Sequence, residues 1–93
     1  MTYVIRVEHP VPSFEGWRAR FDSDPLGREQ NGVTRYRVMR DADDAGYVLI
    51  DLEFDSRTEA EAFLARLKEL WAGTDVMYDP TSRIAEIVDR TEY

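Results

Sequence analysis

The sequence predicts an α+β fold, an antiparallel sheet with two helices packed on one face, and three observations carry that expectation. Tyr47–Phe54 reads as a buried strand, with Val48, Ile50, Leu52 and Phe54 recurring at period two. Directly after it the spacing becomes helical, placing Ala60, Phe63, Leu64, Leu67, Leu70 and Trp71 on one stripe. Two further alternating runs, Tyr3–Glu8 and Val33–Arg40, supply partner strands. A strand that feeds straight into so amphipathic a helix buries the apolar faces of both only if the helix folds back onto the sheet.

In chain order, Tyr3, Ile5 and Val7 form one face of the first strand, and Val4, Arg6 and Glu8 the other. Pro10 and Pro12 are expected to end this strand, with His9 held extended by the proline that follows it. Ser13 can cap a helix whose inward stripe is Phe14, Trp17 and Phe21. Gly16 weakens that helix by roughly 1 kcal/mol relative to alanine, so packing of the aromatics must hold it. Asp24-Pro25 ends the helix, and Leu26–Asn31 forms loose turns closed by Asn31-Gly32. Residues 33–54 then form a hairpin whose polar turn, Ala42–Gly46, is about five residues long. Its register follows from charge. If paired positions sum to an even number, Arg35 and Arg37 oppose Asp51 and Glu53 across the ladder and Tyr36 and Val38 meet Ile50 and Leu52 on the apolar face, whereas a one-residue slip sets arginines against buried leucines. Ser56 and Glu59 make a capping box for the second helix, and Gly73 is placed for a left-handed C-cap. A loop through Asp79-Pro80 leads to a last strand at about Arg83–Asp89, and Arg90–Tyr93 is read as a tail. The order β-α-β-β-α-β defines a ferredoxin-like sandwich, a single domain over residues 1–93.

Composition bounds the function. Apolar residues at 43% and charged residues at 33% fit a folded globular chain. A formal charge of −7 argues against phosphate backbones and anionic membranes as partners, so neither nucleic acid nor a membrane is expected. There is no cysteine, which excludes disulfide and thiolate chemistry. No apolar run reaches the ~18 residues of a membrane span, and the early charges in the first ten residues do not fit a signal peptide; a cytoplasmic, soluble protein is expected.

The sheet face away from the helices would carry Val4, Arg6, Glu8, Arg35, Arg37, Leu49, Asp51 and Glu53. It is either solvated or covered by a second copy of the chain across a two-fold axis.

Few residues carry chemistry. His9 is the one histidine: either a partly buried, hydrogen-bonded strand-end residue or a proton shuttle, and its parity puts it on the helix side. Asp41–Gly46 resembles a calcium loop only briefly, because Ala45 and Leu52 stand where an EF-hand requires oxygen ligands; it is read as a turn, and no metal is expected. Trp17, Phe21, Tyr36, Phe63, Trp71 and Tyr78 form an aromatic set on facing elements. Phe21 and Phe63 read first as core, while Trp17 and Trp71 suit either core or the walls of a pocket. Arg28 can hold an anionic oxygen there, or pair with Glu29 or Asp24. Hydrolase, P-loop, dinucleotide and zinc motifs are absent.

On His9-Pro10-Val11, Phe14-x-x-Trp17, Phe21-Asp22, Arg28 before Gly32, and the acidic turn leading into Tyr47–Phe54, the chain resembles the dimeric α+β barrel superfamily. The likeness is to small uncharacterised bacterial proteins, some cyclase-like, and to antibiotic-biosynthesis monooxygenases. The resemblance implies two sheets facing each other in a homodimer, helices outside, and a pocket between each subunit's helices and its own sheet. The monooxygenases need no cofactor and carry a tryptophan on the second long helix, matched by Trp71; Leu67 stands where their pattern has asparagine one turn earlier. The haem-degrading branch needs a histidine near the end of that helix, and none is present.

Two functions are therefore expected. One is an enzyme acting on a small aromatic or polyketide-like molecule by cyclisation or cofactor-free oxidation, with His9 or Tyr36 as acid/base, Trp17, Phe21 and Trp71 as walls, and Arg28 as anion holder. The other is a non-catalytic ligand-binding or structural homodimer.

Overall fold

The computed structural model describes residues 1–73 and 79–93. Its elements are β1 (Thr2–Pro10), α1 (Phe14–Asp22), a 3-10 turn (Glu29–Asn31), β2 (Val33–Asp41), β3 (Asp44–Phe54), α2 (Arg57–Ala72) and β4 (Thr81–Ile87). The strands form one antiparallel sheet in the order β2-β3-β1-β4, with β1 and β3 central. This is the ferredoxin-like architecture that the order of apolar patterns predicts.

The core lies where the parities converge. Ile5, Val7 and His9 of β1 and Val48, Ile50, Leu52 and Phe54 of β3 are all buried on the helix side. Trp17 of α1 and Ala60 and Phe63 of α2 close over them, with the Phe54 and Phe63 rings 5.7 Å apart. Each large apolar side chain so buried contributes about 1.5–3 kcal/mol.

Both helices start as their sequences require. Ser13 Oγ accepts from the Gly16 amide at 3.2 Å, and Ser56 Oγ from the Glu59 amide at 3.3 Å, caps that typically contribute about 1 kcal/mol each. The Glu59 carboxylate lies against Gly32, where a Cβ would come within 2.6 Å of Oε2. The Glu59 side chain could swing away from a Cβ, but Gly32 also has φ 103, and that left-handed backbone is what favours glycine before β2 begins.

The hairpin has the pairing parity that charge complementarity predicts, with Arg35 facing Glu53, Tyr36 facing Leu52, Arg37 facing Asp51 and Val38 facing Ile50. Four boundaries differ from expectation. The turn is only Ala42-Asp43, because Asp41 pairs with Asp44. Asp41 Oδ1 accepts the Asp43 amide at 2.8 Å and Asp44 Oδ1 the Gly46 amide at 2.9 Å, which lets the polar run stay ordered as strand. β1 continues through Pro10, since the Val11 amide resumes the pairing by donating to the Gly46 carbonyl at 2.7 Å. β4 starts and ends two residues early: Ile87 pairs with Thr2 at the start of β1, and Val88 beyond it is 82% exposed. Gly73 has φ −106, not a left-handed value. Its amide closes the helix by a tighter bond to the Leu70 carbonyl at 3.1 Å.

On the opposite sheet face Asp51 is buried at 5% exposure beneath arginines. Arg6 binds it through Nε and through Nη2 (3.0 Å), and Arg37 through Nε (2.9 Å). Beside it Glu53 takes Arg90 of the C-terminal segment at 2.6 Å, and the Tyr47 hydroxyl donates to Glu8 at 2.9 Å. Burial pushes the Asp51 carboxyl up, but hydrogen bonds from Arg6 and Arg37 outweigh it and hold it below its ordinary value.

Candidate functional site

Between the helices and the sheet lies a cavity of about 370 Å³. Val7, Ile50 and Leu52 form its floor, and α1 and α2 supply facing aromatic walls through Trp17, Phe21 and Trp71. The segment from Ser23 to Leu26, with Arg28, forms the rim.

That rim is built by backbone geometry that few residues tolerate. Asp24 and Gly27 have φ 51 and 69, in the left-handed region. Asp24 Oδ1 accepts the Arg28 amide at 2.9 Å, and Asn31 Nδ2 donates to the Leu26 and Gly27 carbonyls at 2.8 and 2.9 Å. Arg66 of α2 donates to Asn31 Oδ1 at 2.7 Å, so the rim is tied to the second helix as well as to the first.

His9 lies on the inner wall, 1% exposed, its ring centroid 6.1 Å from that of Trp17. Nδ1 is 3.1 Å from the Pro10 carbonyl oxygen. A carbonyl can only accept, so Nδ1 carries the proton and Nε2 holds a lone pair. Nε2 is buried and has no hydrogen-bond partner among the described residues. Burial lowers the imidazole pKa below its ordinary value, only partly offset by the Pro10 hydrogen bond, and so favours the neutral ring. A neutral imidazole with a free Nε2 can accept a hydrogen bond or a proton.

Trp17 is buried and stacks on Phe21 with centroids 5.1 Å apart, making α1 a continuous aromatic wall. Trp71 is half-buried and faces the same cavity from α2. Arg28 reaches the rim but is already engaged: Nη1 donates to the Phe21 carbonyl at 2.7 Å, Asp24 lies 3.7 Å away, and the guanidinium sits 3.9 Å over the Phe21 ring. Its first work is to staple the end of α1 to the rim. Tyr36, expected as an acid/base, is not part of the lining and is 43% exposed. β2 is the edge strand, so Tyr36 lies out beside the cavity, where Phe21 meets it edge-on at 5.1 Å and Arg28 stacks at 4.9 Å. Tyr78, the remaining member of the aromatic set, lies outside the described residues.

The structure adds lining residues that the sequence reading left out of the site. Leu67 and Leu70 were assigned to the general helix stripe, and Pro25, Leu26 and Arg20 were not assigned to a pocket at all. Arg20 lies three residues after Trp17, so helical spacing carried the signal. Among the described residues no group of three or more histidine, aspartate or glutamate side chains is placed to hold a metal ion. No helix among them is long and apolar enough to cross a membrane.

The four-stranded antiparallel sheet backed by two helices is the fold of solved structures described as dimeric ferredoxin-like proteins. The solved structures that the chain is similar to include a dimeric ferredoxin-like protein from an uncultured marine organism, at 12% identity and a TM-score of 0.69, with 97% of this chain and 98% of that one covered. A protein assigned as an antibiotic biosynthesis monooxygenase from Nitrosomonas europaea is similar at 20% identity and a TM-score of 0.66, covering 98% of this chain and 94% of that one. SnoaB from Streptomyces nogalater, a cofactor-independent oxygenase, is similar at 10% identity and a TM-score of 0.74, covering 96% and 95%. No family model and no curated protein matches the chain.

Proposed function

We propose that the protein is a homodimer in which each subunit binds a small, flat, mostly apolar molecule between its helices and its sheet, and acts on it without a cofactor. The observation that carries this reading is His9: a buried imidazole on the wall of an apolar cavity, its Nε2 unpartnered. An acceptor left unsatisfied in the interior costs about 1–3 kcal/mol, and an incoming ligand that pairs with it recovers that cost. The likeness in fold to a cofactor-independent oxygenase supports the same reading.

In this reading His9 is the general base. Nε2, kept unprotonated by burial of the ring, takes a proton from a phenolic hydroxyl or from a carbon beside a carbonyl. The resulting enolate or phenolate either attacks an internal carbonyl, the alkoxide so formed taking the proton back from the His9 imidazolium, or gives one electron to dioxygen. In the second case the substrate radical and superoxide combine to a peroxide that takes up that proton and loses water to leave a carbonyl. The indole walls hold the planar ring system, and the Arg28 staple keeps the rim in place. Tyr36, outside the cavity lining, supports the rim through its contacts with Phe21 and Arg28 and takes no proton in the proposed reaction.

Homodimerisation through the outer sheet face is part of the proposal. Val4 and Leu49 are half-buried amid the paired arginines and carboxylates, which suits a face that a second copy covers. Binding without catalysis is the second reading, favoured by the absence of any other titratable side chain on the inner wall beside His9 among the described residues. Incubation with a panel of hydroxylated bicyclic aromatics under air, followed by mass spectrometry, separates the two. Products of ring closure or oxygen insertion that vanish in His9→Phe support the enzyme; tight binding with no turnover leaves the binding protein.

A further inference from the structure

We propose that His9 sets the chemistry of the ligand: the inner end of the cavity takes a neutral, planar hydroxy compound whose O–H donates to Nε2, and rejects the same skeleton bearing a carboxylate there. This rests on the reading that the cavity is a ligand site.

The tautomer is the first support. With Nδ1 committed as donor to the Pro10 carbonyl at 3.1 Å, Nε2 can only accept, so its complement must be a donor. The surroundings are the second. Near His9 the cavity presents Val7, Trp17 and Ile50, a setting in which a carboxylate would lose its hydration and meet another lone pair. A hydroxyl loses less on leaving water and regains a hydrogen bond. The rim is the third. The sequence led us to expect an anion held by Arg28, but that guanidinium is spent on the Phe21 carbonyl, on Asp24 and on the Phe21 ring. Arg20, the other rim cation, is exposed and can meet only the outer end of a ligand. Size is the fourth: a volume of about 370 Å³ lies near the lower limit for small-molecule sites and suits a bicyclic skeleton.

Titration calorimetry of the full chain with naphthalene, 2-naphthol and 2-naphthoate tests this. The expected result is that 2-naphthol binds about tenfold more tightly than naphthalene, the value of one well-made hydrogen bond in a dry site, and that 2-naphthoate binds most weakly. His9→Phe, which keeps a ring but removes the acceptor, should bind naphthalene and 2-naphthol equally. If that variant does not fold, the Nε2 nitrogen resonance of the wild type serves: it should shift on adding 2-naphthol and stay still with naphthalene. Equal affinity of the wild type for naphthalene and 2-naphthol, a preference that survives in His9→Phe, or an Nε2 resonance indifferent to 2-naphthol overturns the inference and leaves the cavity as a ligand site. Binding of none of the probes removes both.

Discussion

Replacing Asp51 by asparagine probes the outer sheet face in a way whose size and pH dependence both follow from geometry. The carboxylate receives Arg6 Nε at Oδ1, and Arg6 Nη2 (3.0 Å) and Arg37 Nε (2.9 Å) at Oδ2. An asparagine has one acceptor oxygen, and its amide nitrogen would turn a donor toward an arginine donor. Hydrogen bonds to charged groups are worth about 1.5–3 kcal/mol each when protected from water. Here the arginine side chains are 39% and 68% exposed, so water recovers part of the loss; a destabilisation of about 1–2 kcal/mol is expected. The folded carboxyl titrates below its ordinary value of 3.8, because the guanidinium hydrogen bonds outweigh the opposing effect of burial. A depressed carboxyl contributes its full stabilisation above the unfolded value and loses it as pH falls through the folded one. Urea unfolding at fixed protein concentration should therefore show the gap between wild type and variant at neutral pH, and the gap should close below about pH 4. A gap of under about 0.3 kcal/mol at neutral pH, or one that does not change on acidification, would refute the reasoning.

The two tryptophans should respond differently to truncation. Trp17→Ala removes a buried indole that stacks on Phe21, with an expected loss of about 3–5 kcal/mol. Trp71→Ala removes a half-buried cavity wall, and about 1–2 kcal/mol is expected; equal losses in denaturant at an unchanged m-value would contradict the assignment of Trp71 to the wall. His9→Phe should change the stability of the ligand-free protein by less than about 1 kcal/mol, since relief of the unsatisfied Nε2 acceptor offsets loss of the hydrogen bond to the Pro10 carbonyl. The wild type should also lose stability as pH falls below the ordinary histidine value of 6.5, because the unfolded ring takes up a proton that the folded ring resists, and His9→Phe should lack that loss. Sedimentation should show a dimer at micromolar concentration that Arg37→Glu shifts toward monomer, and a stable wild-type monomer would end the proposed assembly.

The fold was largely legible because period and charge agree. Alternation placed Ile5, Val7 and His9 with Ile50 and Leu52, and the charges of Arg35, Arg37, Asp51 and Glu53 set the parity of the hairpin pairing. What escaped was backbone detail that depends on partners far away in sequence. Nothing in the run from Ala42 to Gly46 says that Val11 will pair with Gly46 and draw the strand outward. The strand end at Ile87 is set by where β1 begins, not by its own residues. The site divided in the same way. Trp17, Phe21 and Trp71 were readable from helical spacing, whereas the position of Tyr36 depends on β2 being the sheet edge, a fact of strand order. The engagement of Arg28 depends on a carbonyl at the end of α1 that no spacing rule singles out.

Both tryptophans of the chain line the cavity, so their indole N–H resonances report on it directly. In a nitrogen–proton correlation spectrum, added 2-naphthol should shift both indole signals together and saturably. The amides of Arg37 and Asp51, on the other face of the sheet, should stay in place. Shifts confined to that outer face, or none at either indole, would contradict the assignment of the space between helices and sheet as the binding site.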